Sequence, residues 1–167
     1  MICCVTGHRS KGFPFLCEET EALYREYLRK LNFKVQNLVG EGYQYFITGM
    51  AEGADLDFAN CVLDLKRLNK TIFLEAALPF PVSAAKRKTA YNEQRDQILE
   101  QCDQGYVVSK QYYRGCMHKR NRYMVDQSDL VLAIWNGREE GGTWDTICYA
   151  KAKGKSIQYF MLTDLLS

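Results

Sequence analysis

The sequence has little of what marks a membrane, secreted or metal-bound protein. No apolar run approaches the ~20 residues needed to span a bilayer. Met1–Thr6 is too short an apolar stretch to read as a signal peptide, and Gly7, His8 and Arg9 follow it directly. Charge is nearly balanced, with 22 Lys and Arg against 20 Asp and Glu. A chain so close to neutral offers little phosphate-neutralising charge, so the expected partner is neither nucleic acid nor a membrane surface. Cys-x-x-Cys pairs are missing. The seven cysteines (3, 4, 17, 61, 102, 116 and 148) are odd in number, and several fall in segments that read as buried. They are expected to be small hydrophobes without disulfides in a reducing cytoplasm. Cys116 and His118 stand close together, but no second pair completes a tetrahedral set, so no metal is expected. Linkers, repeats and low-complexity segments are also lacking, and residues 1–167 read as one domain large enough for a sizeable core.

What is present is organised around residues 45–57. Tyr45–Thr48 is β-prone, Gly49 and Gly53 break it, and Ala54, Phe58, Val62 and Leu65 then fall at helical spacing. A strand, a small-residue turn and a helix entrance bring together unpaired N–H groups and the positive end of a helix dipole, which suits an anion. Asp55, in the first helical turn, can either cap those donors or accept from a sugar hydroxyl.

Two further exits repeat the pattern. The first strand, Ile2–Thr6, ends in Thr6-Gly7-His8-Arg9, where Arg9 is a natural phosphate fork and His8 a donor or base. The apolar run Asp129–Trp135 reads as a buried parallel strand and leaves through Asn136-Gly137 towards Gly141, Gly142 and a helix from Thr143 to about Gly154. Between these units the patterning predicts a helix over Glu18–Val39, a strand over Thr71–Ala77, and a helix led by Lys86-Arg87-Lys88 to about Cys102. A strand over Gly105–Ser109, a helix over Met117–Gln127, a strand over Ser156–Phe160 and a final turn from Thr163 complete the chain. Six strands alternating with helices predict an α/β, Rossmann-like, doubly wound and mostly parallel sheet with helices on both faces. Ligands of such sheets bind at the carboxyl ends of the strands, where the strand order switches.

Thr48-Gly49-Met50-Ala51-Glu52-Gly53-Ala54-Asp55 resembles the Ser-Gly-x-Ala-x-Gly-x-Asp signature of the SLOG superfamily, named for DprA and the LOG cytokinin-activating enzymes. Arg120-Asn121-Arg122 resembles the Arg-Asn-Arg of the DprA branch. The opening Thr6-Gly7-His8-Arg9 and the run Val125-Asp126-Gln127-Ser128-Asp129 are similar to the YpsA/YoqJ-like bacterial family. The resemblance covers nearly the whole chain. It implies a Rossmann-like fold that binds a nucleotide or a nucleotide-derived ligand of the NAD or ADP-ribose type. LOG phosphoribohydrolases carry Pro-Gly-Gly-x-Gly-Thr-x-x-Glu. Here only Gly142-Thr143 of that motif aligns, Thr146 replaces the catalytic glutamate, and Asp145 comes one position early. Hydrolysis by the LOG mechanism is therefore not expected.

The reading of the sequence is a cytoplasmic sensor or regulator that needs no cofactor beyond its nucleotide-derived ligand. Thr6, Gly7, Arg9, Thr48, Gly49, Gly53, Asp55, Arg122, Gly141, Gly142 and Thr143 are expected to line the crevice. Glycine turns and helix starts would cradle phosphates, Arg9 or Arg122 would neutralise them, and Asp55 would read a ribose. One alternative is a hydrolase of an N-glycosidic or phosphate bond, with His8, Asp55 and Asp145 as acid–base groups. Another is a regulator that binds a protein partner through the Tyr112-Tyr113 loop or an apolar helix face, its crevice vestigial. The sequence leaves a homo-oligomer open.

Overall fold

Leu130–Trp135 is apolar at every position because helices cover both of its faces; five of its six residues are buried and Trp135 partly so. In the computed structural model, which describes residues 1–15, 20–82 and 88–166, it is an inner strand of a six-stranded sheet, one place in from the edge. The strands are β1 (Ile2–Gly7), β2 (Tyr45–Thr48), β3 (Phe73–Leu78), β4 (Gln104–Val107), β5 (Leu130–Trp135) and β6 (Ser156–Met161). The helices are α1 (Thr20–Gly40), α2 (Ala54–Leu68), α3 (Ala90–Gln101), α4 (Cys116–Gln127) and α5 (Gly141–Ala152). The α/β class is as the alternation predicts, and every strand pairing is parallel.

The strand order is β4-β3-β2-β1-β5-β6. The chain steps outward from β1 to β4, then returns past β1 and steps outward again through β5 and β6. Right-handed crossovers running in opposite directions put their helices on opposite faces. Accordingly, Tyr27, Leu31, Phe58, Val62 and Ile98 of α1, α2 and α3 share one core with Cys3 and Val5. Met124, Val125 and Ala150 of α4 and α5 share the other with Cys4 and Val131. Alternate residues of β1 thus feed the two cores, as the strand period of two requires. The strand order reverses between β1 and β5, and their carboxyl ends part there.

Several boundaries differ from those expected. β3 begins at Phe73 rather than Thr71, because the Asn69 side chain accepts from the Thr71 backbone N–H at 3.1 Å and hydroxyl at 2.7 Å, holding a turn. β4 begins and ends earlier than the predicted strand; it is a short edge strand exposed along its whole length, so burial imposes no alternation on its sequence. The helix expected from Thr143 starts at Gly141. Ser10–Gly12 forms a 3-10 turn between β1 and α1. α1 is described only from Thr20, so its predicted start at Glu18 lies outside the described residues. So do Cys17, Lys86 and Arg87; α3 itself begins at Ala90, where the Thr89 hydroxyl caps the Asn92 N–H at 3.1 Å. The six described cysteines are free thiols.

Candidate functional site

The turn after β2 is built by close approach. A Cβ on Gly53, whose φ is +99°, would stand 2.7 Å from the His8 carbonyl oxygen, and one on Gly7 would stand 2.4 Å from Ala54 Cβ. Glycine at both positions lets the loop after β1 lie directly on the start of α2, where the first helical N–H, that of Ala54, donates to the His8 carbonyl at 3.1 Å. The Ser10 hydroxyl donates to Glu52 and ties the two loops further.

Inside this turn, Gly49 separates two buried opposite charges. A Cβ there would meet Asp55 Oδ2 at 2.7 Å and Arg120 Nη1 at 2.9 Å. Arg120 donates from Nη1 to the Gly49 carbonyl and from Nε to Asn121 Oδ1 at 2.8 Å. Asp55 Oδ2 accepts from the Ala51 N–H at 3.2 Å, and Thr48 Oγ1 donates to the Asp55 carbonyl at 2.9 Å. Burial pushes the Asp55 carboxyl up, opposed chiefly by the Arg120 charge, and burial likewise lowers the Arg120 guanidinium. Met50, with φ +59° and fully buried, turns the chain, and its carbonyl accepts from the Tyr91 hydroxyl at 2.8 Å.

Over this floor lies a cavity of about 280 Å³ at the carboxyl ends of β1 and β5. Thr6, Gly7, His8 and Arg9 line one side, Asp55 and Arg120 the floor, and Gly142 and Thr143 the start of α5. A second lobe of about 80 Å³ opens towards the end of β3 and is bounded by Gly49, Leu78, Pro79 and Phe80; Arg9, Ala51, Met117 and Arg120 form a wall common to both lobes. Met117 belongs to the first turn of α4. Three helices therefore point their amino ends here, and none has a side-chain cap. Arg9 is exposed at the mouth, and its guanidinium has no hydrogen bond or ion pair among the described residues.

The expected residues thus divide into groups. Thr6, Gly7, His8, Arg9, Asp55, Gly142 and Thr143 line the larger lobe, and Gly49 the smaller. Thr48 and Gly53 are framework beneath it. Gly141 opens α5 on its exposed side, outside the lining of either lobe. Arg122 is elsewhere. It stacks over the Tyr149 ring, 5.2 Å from its centroid, and with Asp145 borders a groove on the outer side of α4 and α5. The arginine of Arg-Asn-Arg that reaches the cavity is Arg120, because Cys116, Arg120 and Met124 form the buried i, i+4, i+8 stripe of α4. That spacing was the available signal for it.

Of the candidate acid–base groups, His8 is engaged. Its Nε2 accepts from the Asn136 backbone N–H at 3.1 Å, while the Asn136 side chain donates to the Gly12 carbonyl at 3.2 Å. Burial and then Arg138 lower the imidazole's affinity for a proton, and the Asn136 N–H on Nε2 makes that nitrogen an acceptor that joins the β1 and β5 loops. Asp145 lies across α5, so the three candidates do not meet. Among the described residues no group of three His, Cys, Asp or Glu could hold a metal ion, and no helix is long and apolar enough to cross a membrane.

With this geometry in view, the relatives are informative. The fold is similar to that of DNA processing protein A from Helicobacter pylori, described for its unique single-stranded DNA binding mode; the TM-score is 0.62 at 15% identity, covering 99% of this chain and 71% of that one. The SPbeta prophage-derived protein YoqJ of Bacillus subtilis is 33% identical over 136 residues, 73% of this chain and 78% of that protein. YpsA, a UPF0398 protein of the same organism, is 21% identical over 140 residues, 82% of this chain and 77% of that protein. The YpsA profile, described as the YspA SLOG family, matches residues 3–164. The chain belongs to the YpsA family of SLOG proteins.

Proposed function

We propose that the cavity binds a nucleotide-derived anion of the NAD or ADP-ribose type, and that the chain acts in the cytoplasm as a sensor or regulator. The observation that carries this reading is the convergence of Arg9, Arg120 and the uncapped start of α5 on one cavity at the β1/β5 switch. Arg9 and the Gly142 and Thr143 N–H groups would hold a phosphate. Asp55 uses Oδ2 on Ala51, and its other oxygen has no hydrogen bond among the described residues, so it can accept from a ribose hydroxyl. At about 280 Å³ the larger lobe is close to the lower end of the roughly 300–1,000 Å³ usual for small-molecule sites, which favours a mononucleotide-sized portion in it.

Binding is favoured over turnover because the His8 nitrogen that faces Asn136 is already occupied and Asp145 lies on the far side of α5. A nucleic-acid strand is a second reading, drawn from what the H. pylori neighbour binds, but a confined cavity suits a small molecule better. Thermal unfolding with NAD, ADP-ribose, AMP and a deoxythymidine oligonucleotide, coupled to product analysis, tests this. The expected result is a stabilising shift with the small nucleotides and no product. Product would establish the hydrolase; a shift with the oligonucleotide alone would establish the strand reading; no shift at all would favour a protein partner.

A further inference from the structure

The smaller lobe carries more positive charge than its surroundings neutralise. Arg9, Arg95 and Arg120 all line it, and no acidic residue does among those described. Two of these guanidinium groups are deeply buried, Arg95 at 8% exposure and Arg120 at 6%. Arg95 places both Nε and Nη2 on one oxygen of Asp96, each at 3.1 Å, and that carboxylate is 55% exposed and shared with water. Arg120 donates to the Gly49 carbonyl and to Asn121, and the carboxylate it faces, Asp55 across Gly49, lines the larger lobe and not this one. Three guanidinium groups thus stand against two carboxylates, one of them exposed, and burying that excess positive charge is costly unless an anion completes the site.

The lobe is also shaped to hold Arg95 in place. Its guanidinium lies over the Tyr91 ring, 5.4 Å from the centroid, and Tyr91 is anchored through its hydroxyl on the Met50 carbonyl at 2.8 Å. Leu78, Pro79 and Phe80 close the opposite side with apolar surface. A planar donor fixed in a largely apolar slot is suited to phosphate. Because the two lobes share Arg9 and Arg120 as a common wall, an anion in each would lie on either side of the same guanidinium groups. Adjacent phosphates of one molecule meet that condition without a second ligand.

We infer that the smaller lobe is a second anion subsite, in which Arg95 and Arg120 hold one phosphate of a ligand whose other phosphate sits on Arg9 and the start of α5. The ligand class is therefore a pyrophosphate-bearing nucleotide rather than a monophosphate. The inference rests on the larger lobe binding a nucleotide-derived anion, and the test separates the two. Calorimetric titration of AMP and ADP into the wild type should give ADP an affinity at least about tenfold higher, the gain expected of an added charge-assisted contact. In Arg95→Gln, ADP should fall to within about twofold of AMP, with AMP unchanged. Arg95→Lys, which keeps the charge but not the fork, should lie between. Circular dichroism establishes that each variant is folded, and the wild-type ratio alone decides the matter should Arg95→Gln not fold. AMP binding with ADP no tighter would overturn this inference and leave the larger lobe's role standing. Equal weakening of both nucleotides by Arg95→Gln would overturn it too. Failure of both nucleotides to bind the wild type would remove the reading of the larger lobe and this one with it.

Discussion

Asp55 and Asp57 are two residues apart on α2, both buried, and they face opposite problems. Asp57 points into the core between α1 and α2, where the Tyr24 hydroxyl donates to Oδ1 at 2.6 Å and the Tyr27 hydroxyl to Oδ2 at 3.1 Å. Each of its oxygens has a partner supplied by the fold. Asp55 points to the crevice, has one backbone N–H, and faces Arg120 across a glycine that leaves no room for a side chain. A buried carboxylate whose hydrogen bonds the fold completes belongs to the structure; one whose hydrogen bonds are incomplete beside a cavity has capacity left for a ligand. Glu75 on β3 belongs with Asp57: it is buried, and the Tyr45 and Tyr123 hydroxyls donate to its two oxygens.

The largest effect that would separate the two aspartates is on stability. Asp57→Ala leaves the fully buried Tyr27 hydroxyl and that of Tyr24 without their acceptor, at about 2–5 kcal/mol for the pair. Denaturant unfolding should show this loss, with nucleotide affinity of the folded fraction unchanged; a loss under about 1 kcal/mol would show that Asp57 is not a structural centre.

Next in size is a pH dependence. Burial raises the Asp57 carboxyl to about 6, against the tyrosine hydrogen bonds, which lower it. Its folded pKa lies above its unfolded value, so the folded state binds the proton more tightly. The contribution is complete below about pH 4 and is lost as pH rises through about 6. Relative to Asp57→Asn, wild-type stability should therefore fall by about 2–3 kcal/mol between pH 4 and 7, since each tenfold difference in proton affinity between the folded and unfolded chain is worth about 1.4 kcal/mol. A flat or opposite difference would contradict a proton held at Asp57.

Asp55→Asn should do the reverse of Asp57→Ala. Asparagine keeps an acceptor oxygen for the Ala51 N–H, so the variant should melt within a few degrees of wild type, yet bind ADP-ribose at least about tenfold more weakly, or about 1.4 kcal/mol. A stable variant that binds normally would remove Asp55 from the site. The smallest effect is expected at Arg122, which lies on the far side of α4 from the cavity. Arg122→Ala should leave ADP-ribose affinity within about twofold of wild type; a larger loss by calorimetry would mean the ligand reaches the α4/α5 groove.

The fold was readable from the sequence wherever burial imposes a period. The start and buried face of α2 came from Gly53 and the Ala54–Phe58–Val62–Leu65 spacing, and β5 came from an unbroken apolar run. β4 was readable only approximately, since an exposed edge strand with Gly105 in it has no pattern to betray its ends. The cavity's glycine turns were visible as local signals. Its arginines were only partly so: Arg9 follows a strand directly, but choosing Arg120 over Arg122 needed the helical phase of α4, which becomes fixed only when Cys116 and Met124 are buried. The engagement of His8 depends on Asn136, 128 residues away, and only the parallel pairing of β1 with β5 brings them together.

The most direct measurement is a calorimetric titration of ADP-ribose into wild type, Arg9→Ala and Asp57→Asn, side by side. Arg9 is exposed and makes no side-chain contact that the fold needs, so its loss should leave unfolding unchanged. It should still weaken binding about ten- to a hundredfold, the equivalent of roughly 1.5–3 kcal/mol for one charged contact. Asp57→Asn should be less stable at acid pH yet bind as wild type does. Equal affinities in wild type and Arg9→Ala, or a loss of affinity confined to Asp57→Asn, would contradict a binding site at the carboxyl ends of β1 and β5.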